Sequence, residues 1–409
     1  MNGPLPSSSA GQPPVVTFII ATHNRRAVLL NTLQRLTATP ELRASDGPAA
    51  IGSEIIVVDN ASTDGTSDAV ANQFPNVRVL RQKVNRGACA KNAGVPLAAG
   101  QFVVFLDDDS YPMAGSIQRM VHYFSRDKNL GAMVCDVILM DGSRECSAYP
   151  TAFIGCGVGF RREALAQVGG LPEDFFYQAE EYDLSLRLLD AGWDIHRYND
   201  VQVLHQKTKT GRFPARTTRL DARNNFTLIV RYFPRAWVLP FAFAWMRRYR
   251  WIAQTKSWRH EWAFWRGLAE GIGRSLRPGQ RRPVSPAAFE RFAMIRQIEH
   301  RMKQLADEGC RNILFIDVGK NILPYCLAAK ACGQRVVAIA DKNLASPGRR
   351  FHGIPIVDDA TAARLTFDAA VISNVSPVHV AQRLTEMRQL LRQPVIDLLE
   401  PPAPIAMVA

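Results

Sequence analysis

The sequence predicts an α/β protein of the doubly wound type, followed by a second, smaller α/β domain. Three observations predict it. From Val15 to about Asp221, short β-branched runs alternate with stretches of helical periodicity, the pattern of helices covering a mostly parallel sheet. The same alternation resumes at Asn312, beyond a segment rich in Trp and Arg. Between them, the apolar run Phe102–Leu106 stops abruptly at Asp107, Asp108 and Asp109, as a buried strand does when it delivers acids to the edge of a sheet.

Taken in order, residues 1–14, rich in Pro, Ser and Gly, are expected to form a disordered leader. Strands are expected at Val15–Ala21, Glu54–Asp59, Val77–Leu80 and Phe102–Leu106, with helices at Arg26–Thr37, Thr66–Gln73, Gly87–Ala98 and Met113–Phe124. Leu130–Asp141 and Ala152–Phe160 read as further strands, and Glu180–Ala191 as a helix with an apolar face. After a helix at about Phe289–Glu308, strands are expected at Asn312–Asp317, Arg335–Asp341, Asp368–Ser373 and Pro394–Leu398. This divides the chain into a leader (1–14), a first α/β domain (15–224), a helical bridge (225–286) and a C-terminal domain (287–409).

Composition narrows the class. A hydrophobic content of 47% and a charged content of 21% are ordinary for a globular chain of 409 residues. The net charge of +13 is concentrated, because eleven Lys or Arg against two Glu between Arg235 and Arg282 supply +9 of it. Seven cysteines with no Cys-x-x-Cys pair favour reduced thiols in a cytosolic compartment and give no zinc site. No secretion signal is read at the N-terminus, and the longest apolar stretch, Ala236–Met246, is about half the length of a spanning helix.

Four strand ends carry polar residues. They are Thr22-His23-Asn24-Arg25; Asp59-Asn60-Ala61-Ser62-Thr63-Asp64-Gly65-Thr66; Asn85-Arg86-Gly87 with Lys91; and Asp107-Asp108-Asp109. In a parallel sheet all four share one rim, which suits a nucleotide: an acid for base or ribose, helix N-termini and cations for phosphate. Three adjacent carboxylates repel one another, so the triplet needs either a divalent cation or a solvated turn.

These motifs, with Glu180-Glu181-Tyr182-Asp183-Leu184-Ser185-Leu186-Arg187, resemble the inverting family 2 glycosyltransferases of GT-A fold, in a rhamnosyltransferase-like or galactofuranosyltransferase-like subgroup. The resemblance covers roughly Val15 to His205. It implies a nucleoside-diphosphate sugar donor (UDP- or dTDP-sugar), a Mn2+ or Mg2+ cofactor, and a glycan or lipid-linked acceptor whose hydroxyl attacks the anomeric carbon. By position, Thr22, Asn24 and Arg25 would line the nucleoside pocket, Asp59 would bind the base, and Asn85, Arg86 and Lys91 would lie on the donor side. Asp107 would approach the ribose or the metal, Asp109 would coordinate it, and His205 would complete the ligand set; Asp108 falls in the donor-binding group with no contact of its own. The general base is placed at Glu181, supported by Glu180 or Asp183, although the family's usual Glu-Asp pair is here Glu-Glu. The Gly155-Cys156-Gly157-Val158-Gly159 run would lie beneath the sugars, and Cys156, with no base in view, is not read as a nucleophile.

Six of the seven tryptophans lie between residues 237 and 265, interleaved with arginines. Trp251, Trp258, Trp262 and Trp265 are expected to share one helical face. That pattern reads as a peripheral membrane contact through 235–282 on the inner face of the cell membrane, or as a domain lid or homodimer interface. Nucleic acid is disfavoured, because no recognised module accompanies the charge. The C-terminal unit looks Rossmann-like, but its first turn, Asp317-Val318-Gly319-Lys320-Asn321, lacks the glycine-rich fingerprint, so a structural or regulatory role is expected. Two other functions remain open: a nucleotide-sugar sensor, and a sugar-1-phosphate nucleotidyltransferase, the latter disfavoured by the absence of a Lys-ended glycine-rich loop.

Overall fold

The computed structural model describes residues 14–43, 51–207 and 214–399. The expected leader, apart from Pro14, lies outside the described residues. The chain forms two compact units. The first comprises residues 1–145, 153–176 and 193–211; the second comprises 146–152, 177–192 and 212–409.

The first unit is a mixed α/β layer. Its strands are β1 (Val16–Thr22), β2 (Ser53–Asp59), β3 (Val77–Arg81), β4 (Phe102–Asp107), β5 (Ser110–Pro112), β6 (Leu130–Leu139), β7 (Arg144–Glu145), β8 (Gly157–Arg161) and β9 (Asp194–His205). Its helices are α1 (Arg26–Thr37), α2 (Pro40–Arg43), α3 (Thr66–Gln73), α4 (Ser116–Arg126) and α5 (Arg162–Val168). The strand order is β3-β2-β1-β4-β8-β6-β9-β5, with β7 paired to β6. β1 and β4 are near-continuous apolar runs because both of their faces are covered, as the centre of a parallel sheet requires.

Register carries the functional residues to one rim. In the parallel pairs β1–β2 and β1–β4, Thr22 stands opposite Asp59 and Ala21 opposite Asp107. Antiparallel β5 pairs with β9, setting Ser110 opposite His205, so the end of the longest strand returns to the Asp triplet. Sequence periodicity did not resolve β5, which is only three residues long.

The expected helix at Gly87–Ala98 is instead two short 3-10 turns, Gly87–Ala93 and Val95–Leu97. Gly87 has φ +64°, and a Cβ there would stand 2.1 Å from the Phe176 carbonyl oxygen, so the chain turns tightly at a residue only glycine can occupy. Pro96 then prevents a regular helix from continuing.

The second unit begins its helices with α6 (Glu180–Asp190), followed by α7 (Pro214–Tyr232), α8 (Arg235–Lys256), α9 (Trp258–Ser275), α10 (Pro286–Ala293) and α11 (Ile295–Asp307). The single helix expected at Phe289–Glu308 is therefore two, separated by Met294 in the left-handed region at φ +57°. Helices α12 (Ile322–Ala331), α13 (Asp359–Ala362) and α14 (Pro377–Leu390) flank the C-terminal strands. Those strands are β10 (Asn312–Ile316), β11 (Arg335–Ala340), β12 (Arg350–Phe351), β13 (Ile354–Val357), β14 (Ala369–Ile372) and β15 (Val395–Ile396), in the order β12-β13-β11-β10-β14-β15. All but the β12–β13 pair are parallel. Among the described residues, no helix is long and apolar enough to cross a membrane.

The four tryptophans expected on one face are divided between two helices. Ser257 ends α8 in extended geometry, Trp251 is packed inside, and Trp258, Trp262 and Trp265 are exposed on α9.

Candidate active site

Two of the three aspartates are buried, and all three are held by side-chain cations. Arg25 follows β1 and forks onto it, with Nη1 2.6 Å from Asp108 Oδ1 and Nη2 2.8 Å from Asp109 Oδ2. Thr22 donates its hydroxyl to the other Asp108 oxygen at 2.7 Å. Asp108 and Asp109 are only 3% and 2% exposed, so each negative charge is matched where water cannot reach it. Burial nonetheless pushes the Asp108 carboxyl up to about 7, against the pull of Arg25 and Thr22. Asp107 is the accessible member; it pairs at 2.7 Å with Lys91, whose buried ammonium also donates to the Gly155 carbonyl at 2.8 Å.

His205 closes the cluster. Its Nε2 lies 3.2 Å from Asp109 Oδ1 and its Nδ1 2.7 Å from Glu145 Oε2. Burial would lower its pKa, but the bonds to Asp109, Cys156 and Glu145 overcome this and push it up to about 12. Glu145 is held down to about 2, burial being outweighed by His205 and Lys207. Ligand atoms of Asp107, Cys156 and His205 lie within 4.8 Å of one another. Cys156 thus has the His205 imidazole in reach; burial, the leading influence, raises its thiol and leaves it a poor nucleophile, as the sequence reading expects.

The neighbouring loops are tied together by their own polar groups. Asp59 accepts from the Ser62 N–H at 2.9 Å and from the Ser67 hydroxyl, which fixes the turn into α3. Asn24, at φ +53°, donates its N–H to Ser62 and accepts from the Thr63 N–H at 2.7 Å. Asn60, which the sequence did not single out, donates to Asn85 and to the Gly87 carbonyl and accepts from the Arg86 N–H at 2.7 Å. Asn85 in turn accepts from the Gly87 N–H. The Arg86 side chain points outward to Glu173 at 2.9 Å with both groups exposed. The small residues at 157 and 159 are set by packing, since a Cβ at Gly159 would lie 2.5 Å from Met120 Sδ.

In the second unit, α6 carries the other predicted acids in its first turn, where the macrodipole favours them. Glu180 and Asp183 are buried and Glu181 is half-exposed. Asp183 is bound by Arg187 at 2.7 Å and lies 3.5 Å from Arg231. Gln178 and Ala179 enter the helix at φ +75° and +67°, a conformation non-glycine residues hold only when their surroundings impose it. Buried Asn224 supplies that constraint, donating to the carbonyls of Tyr177 and Gln178 at 2.9 and 2.8 Å. Sequence reasoning missed Asn224 altogether; its one signal was an Asn pair in an otherwise amphipathic helix.

Two family models match the chain: Glycosyl transferase family 2 over residues 17–146 and Glycosyl transferase family group 2 over residues 131–277. Together the two matches span residues 17–277, and both are to glycosyltransferase models. The chain is therefore an enzyme of glycosyl transfer. Among its relatives is the N-acetylglucosaminyl-diphospho-decaprenol L-rhamnosyltransferase of Mycobacterium tuberculosis, 29% identical over 249 residues, 48% of this chain and 78% of that protein. Another is a UDP-Glc:alpha-D-GlcNAc-diphosphoundecaprenol beta-1,3-glucosyltransferase of Escherichia coli, 32% identical over 117 residues, 28% of this chain and 43% of that one. Among solved structures, a mannosyltransferase from Pyrobaculum calidifontis in complex with GDP-Man and Mn2+ aligns over 80% of the transferase and 90% of that chain, with 20% identity and a TM-score of 0.44.

Proposed function

We propose that the transferase moves a sugar, with inversion, from a UDP- or dTDP-sugar to a hydroxyl of a glycan or lipid-linked acceptor in cell-surface polysaccharide synthesis. The observation that carries this is the rim itself: Thr22, Asp59 and Asp107 on adjacent parallel strand ends, with Arg25 and Lys91 as cations and the His205 imidazole beside them. Relatives named as acting on sugars linked to polyprenyl diphosphates support the acceptor class.

The residues fit a divalent cation. Asp107, Asp109 and His205 offer oxygen and nitrogen donors of the kind Mg2+ and Mn2+ accept. Glu145 on Nδ1 leaves His205 Nε2 directed at the carboxylates, the usual outer-shell arrangement for a metal-binding imidazole. Bound there, the cation would supply positive charge against the leaving nucleoside diphosphate. Arg25 holds Asp108 and Asp109 in place, and Lys91 limits the negative charge on Asp107.

In the transfer, the acceptor oxygen forms a bond to the anomeric carbon as the bond to the diphosphate oxygen breaks, and the hydroxyl proton passes to a carboxylate. We assign that proton to Glu181, the half-exposed acid of the α6 turn, with Asp183 fixing the helix through Arg187 and Glu180 buried beside it. Contact with the inner face of a membrane through 235–282 belongs to the same reading. Glu181→Gln tests the assignment: donor affinity by calorimetry should persist while turnover falls by roughly 10²–10⁴-fold. Retained turnover removes Glu181 from the role, and turnover in chelator with UDP- and dTDP-sugars removes the cation.

A further inference from the structure

Helix α9 carries an apolar stripe on its outer side. Trp258, Trp262, Trp265, Ile272 and Leu276 follow one another at spacings of three, four and seven residues and are 74%, 61%, 48%, 43% and 79% exposed. A stripe that regular normally faces a core, yet nothing among the described residues covers it. The opposite side of α9 does pack. Ala263, Gly267 and Gly271 are buried against α7, and a Cβ at Gly267 would lie 2.1 Å from the Arg219 carbonyl oxygen.

Beside the stripe, α7 and α9 enclose a groove of about 650 Å3 walled by Arg216, Arg219, Arg259 and Arg266 and by Trp258 and Trp262. Arg259 lies over the Trp258 ring at 5.6 Å and Arg266 over Trp262 at 5.7 Å. Among the described residues, Glu270 accepts from both Arg219 and Arg266, at 3.3 and 3.1 Å, and four arginines line the groove.

We propose that this face docks on an anionic lipid surface, with the stripe entering the boundary between headgroups and acyl chains and the groove holding lipid phosphates. Tryptophan suits that depth because it joins an apolar ring to an N–H donor, and arginine pairs with phosphate through its planar fork. Charge decides against a second copy of the chain: an isologous contact would set the same arginines against each other. The inference goes beyond contact somewhere in 235–282. It excludes the packed Trp237, Trp245 and Trp251, and it adds Arg216 and Arg219 from outside that interval.

The test uses the full chain, without donor or metal, so its outcome is independent of the transfer reaction. Co-sedimentation is measured with vesicles of phosphatidylcholine alone and of phosphatidylcholine mixed with phosphatidylglycerol. Binding should require the anionic lipid and weaken with salt. Trp258→Ala/Trp262→Ala should lower partitioning on the order of tenfold or more, and Arg259→Gln or Arg266→Gln about fivefold each. Circular dichroism matching the parent shows that the variants fold, as expected for exposed positions. Equal binding to neutral vesicles, or undiminished binding by the double tryptophan variant, overturns the proposal. So does a chain that binds free glycerol phosphate but no vesicle, or a dimer abolished by the tryptophan changes with no vesicle binding.

Discussion

Replacing Arg25 with Met probes how the Asp triplet is kept charged. The side chain makes two short contacts to carboxylates that are almost wholly buried, at 2.6 and 2.8 Å. Each such charge-assisted bond is worth about 1.5–3 kcal/mol, and stripping one partner from a buried pair costs about 3–5 kcal/mol. The loss is graded by pH, because Asp108 can take a proton. Its folded value is raised from 3.8 to about 7, so it contributes a penalty that is absent below the unfolded value and grows as pH rises through the folded one. Removing Arg25 moves the folded value higher still. The variant should therefore be destabilised by about 3 kcal/mol or more near pH 8 and by clearly less near pH 5. Asp108→Asn in the same chain should recover much of the difference, giving a positive coupling in the double-mutant cycle. Hydrogen exchange at β1 and β4 amides is the appropriate assay, since it reports the first unit separately in a chain of two. A penalty independent of pH, or one that Asp108→Asn leaves unchanged, would refute the claim that Arg25 neutralises this carboxylate.

Three further outcomes follow from the geometry. Gly87→Ala must place a Cβ where the Phe176 carbonyl oxygen already stands, at positive φ, and should lower stability by more than about 1 kcal/mol; a melt matching the parent would show that the turn relaxes freely. Lys320→Met fills most of the same volume but takes the cation from Asp221 and the donor from Asn225 Oδ1, so it should cost about 3–5 kcal/mol. Lys320→Ala opens a cavity as well and should cost about 2 kcal/mol or more beyond that, so equal losses in denaturant titrations of the two would contradict a packing role. Glu386 is held down to about 2 by Lys342 and Arg383; its stabilisation is complete above its unfolded value of 4.5 and is lost as pH falls toward 2. Acid unfolding followed at C-terminal amides should therefore be less steep in Glu386→Gln, and an unchanged acid transition would count against the ion pair.

The sheet was legible because buried parallel strands demand unbroken β-branched and aromatic runs, and β1, β2 and β4 have them. Helices α1 and α3 have the ends read from sequence, Arg26–Thr37 and Thr66–Gln73. The turns at Gly87–Ala93 were not legible, because a helical pattern was overridden by one positive φ that a carbonyl 89 residues away enforces. Trp251 misled for a similar reason: periodicity continues through Ser257, but the helix does not. Within the site, the sequence calls for a divalent cation or a solvated turn at the triplet. Arg25 and Lys91 read from sequence as donor-side residues, and the structure pairs them with Asp107, Asp108 and Asp109. Asp108, which had no task in sequence, is the residue Arg25 and Thr22 hold most closely. Glu145 and Asn60 act through contacts 60 and 25 residues away, which no spacing rule reveals.

The C-terminal sheet shows the same logic from the other side. Its parallel strands end at Asp317 and Asp341, the edge where such sheets place ligands, but protein fills that edge. Asp341 accepts from the N–H groups of Val318, Asn343 and Leu344, and Asp317 is held by Arg383 and His379. The turn between them gives its Val318 and Lys320 carbonyls to Arg248 and Trp245 of α8. Lys320 buries its ammonium over Tyr182 at 4.0 Å and Trp245 at 4.6 Å and donates to Asn225 at 2.9 Å. A nucleotide-binding turn must keep its N–H groups and acid free for phosphate and ribose, and this one has committed the Val318 N–H and both acids to its own chain. Tyr182 lies between Glu181 and Asp183, so through Lys320 the C-terminal module packs against the helix that carries the proposed base.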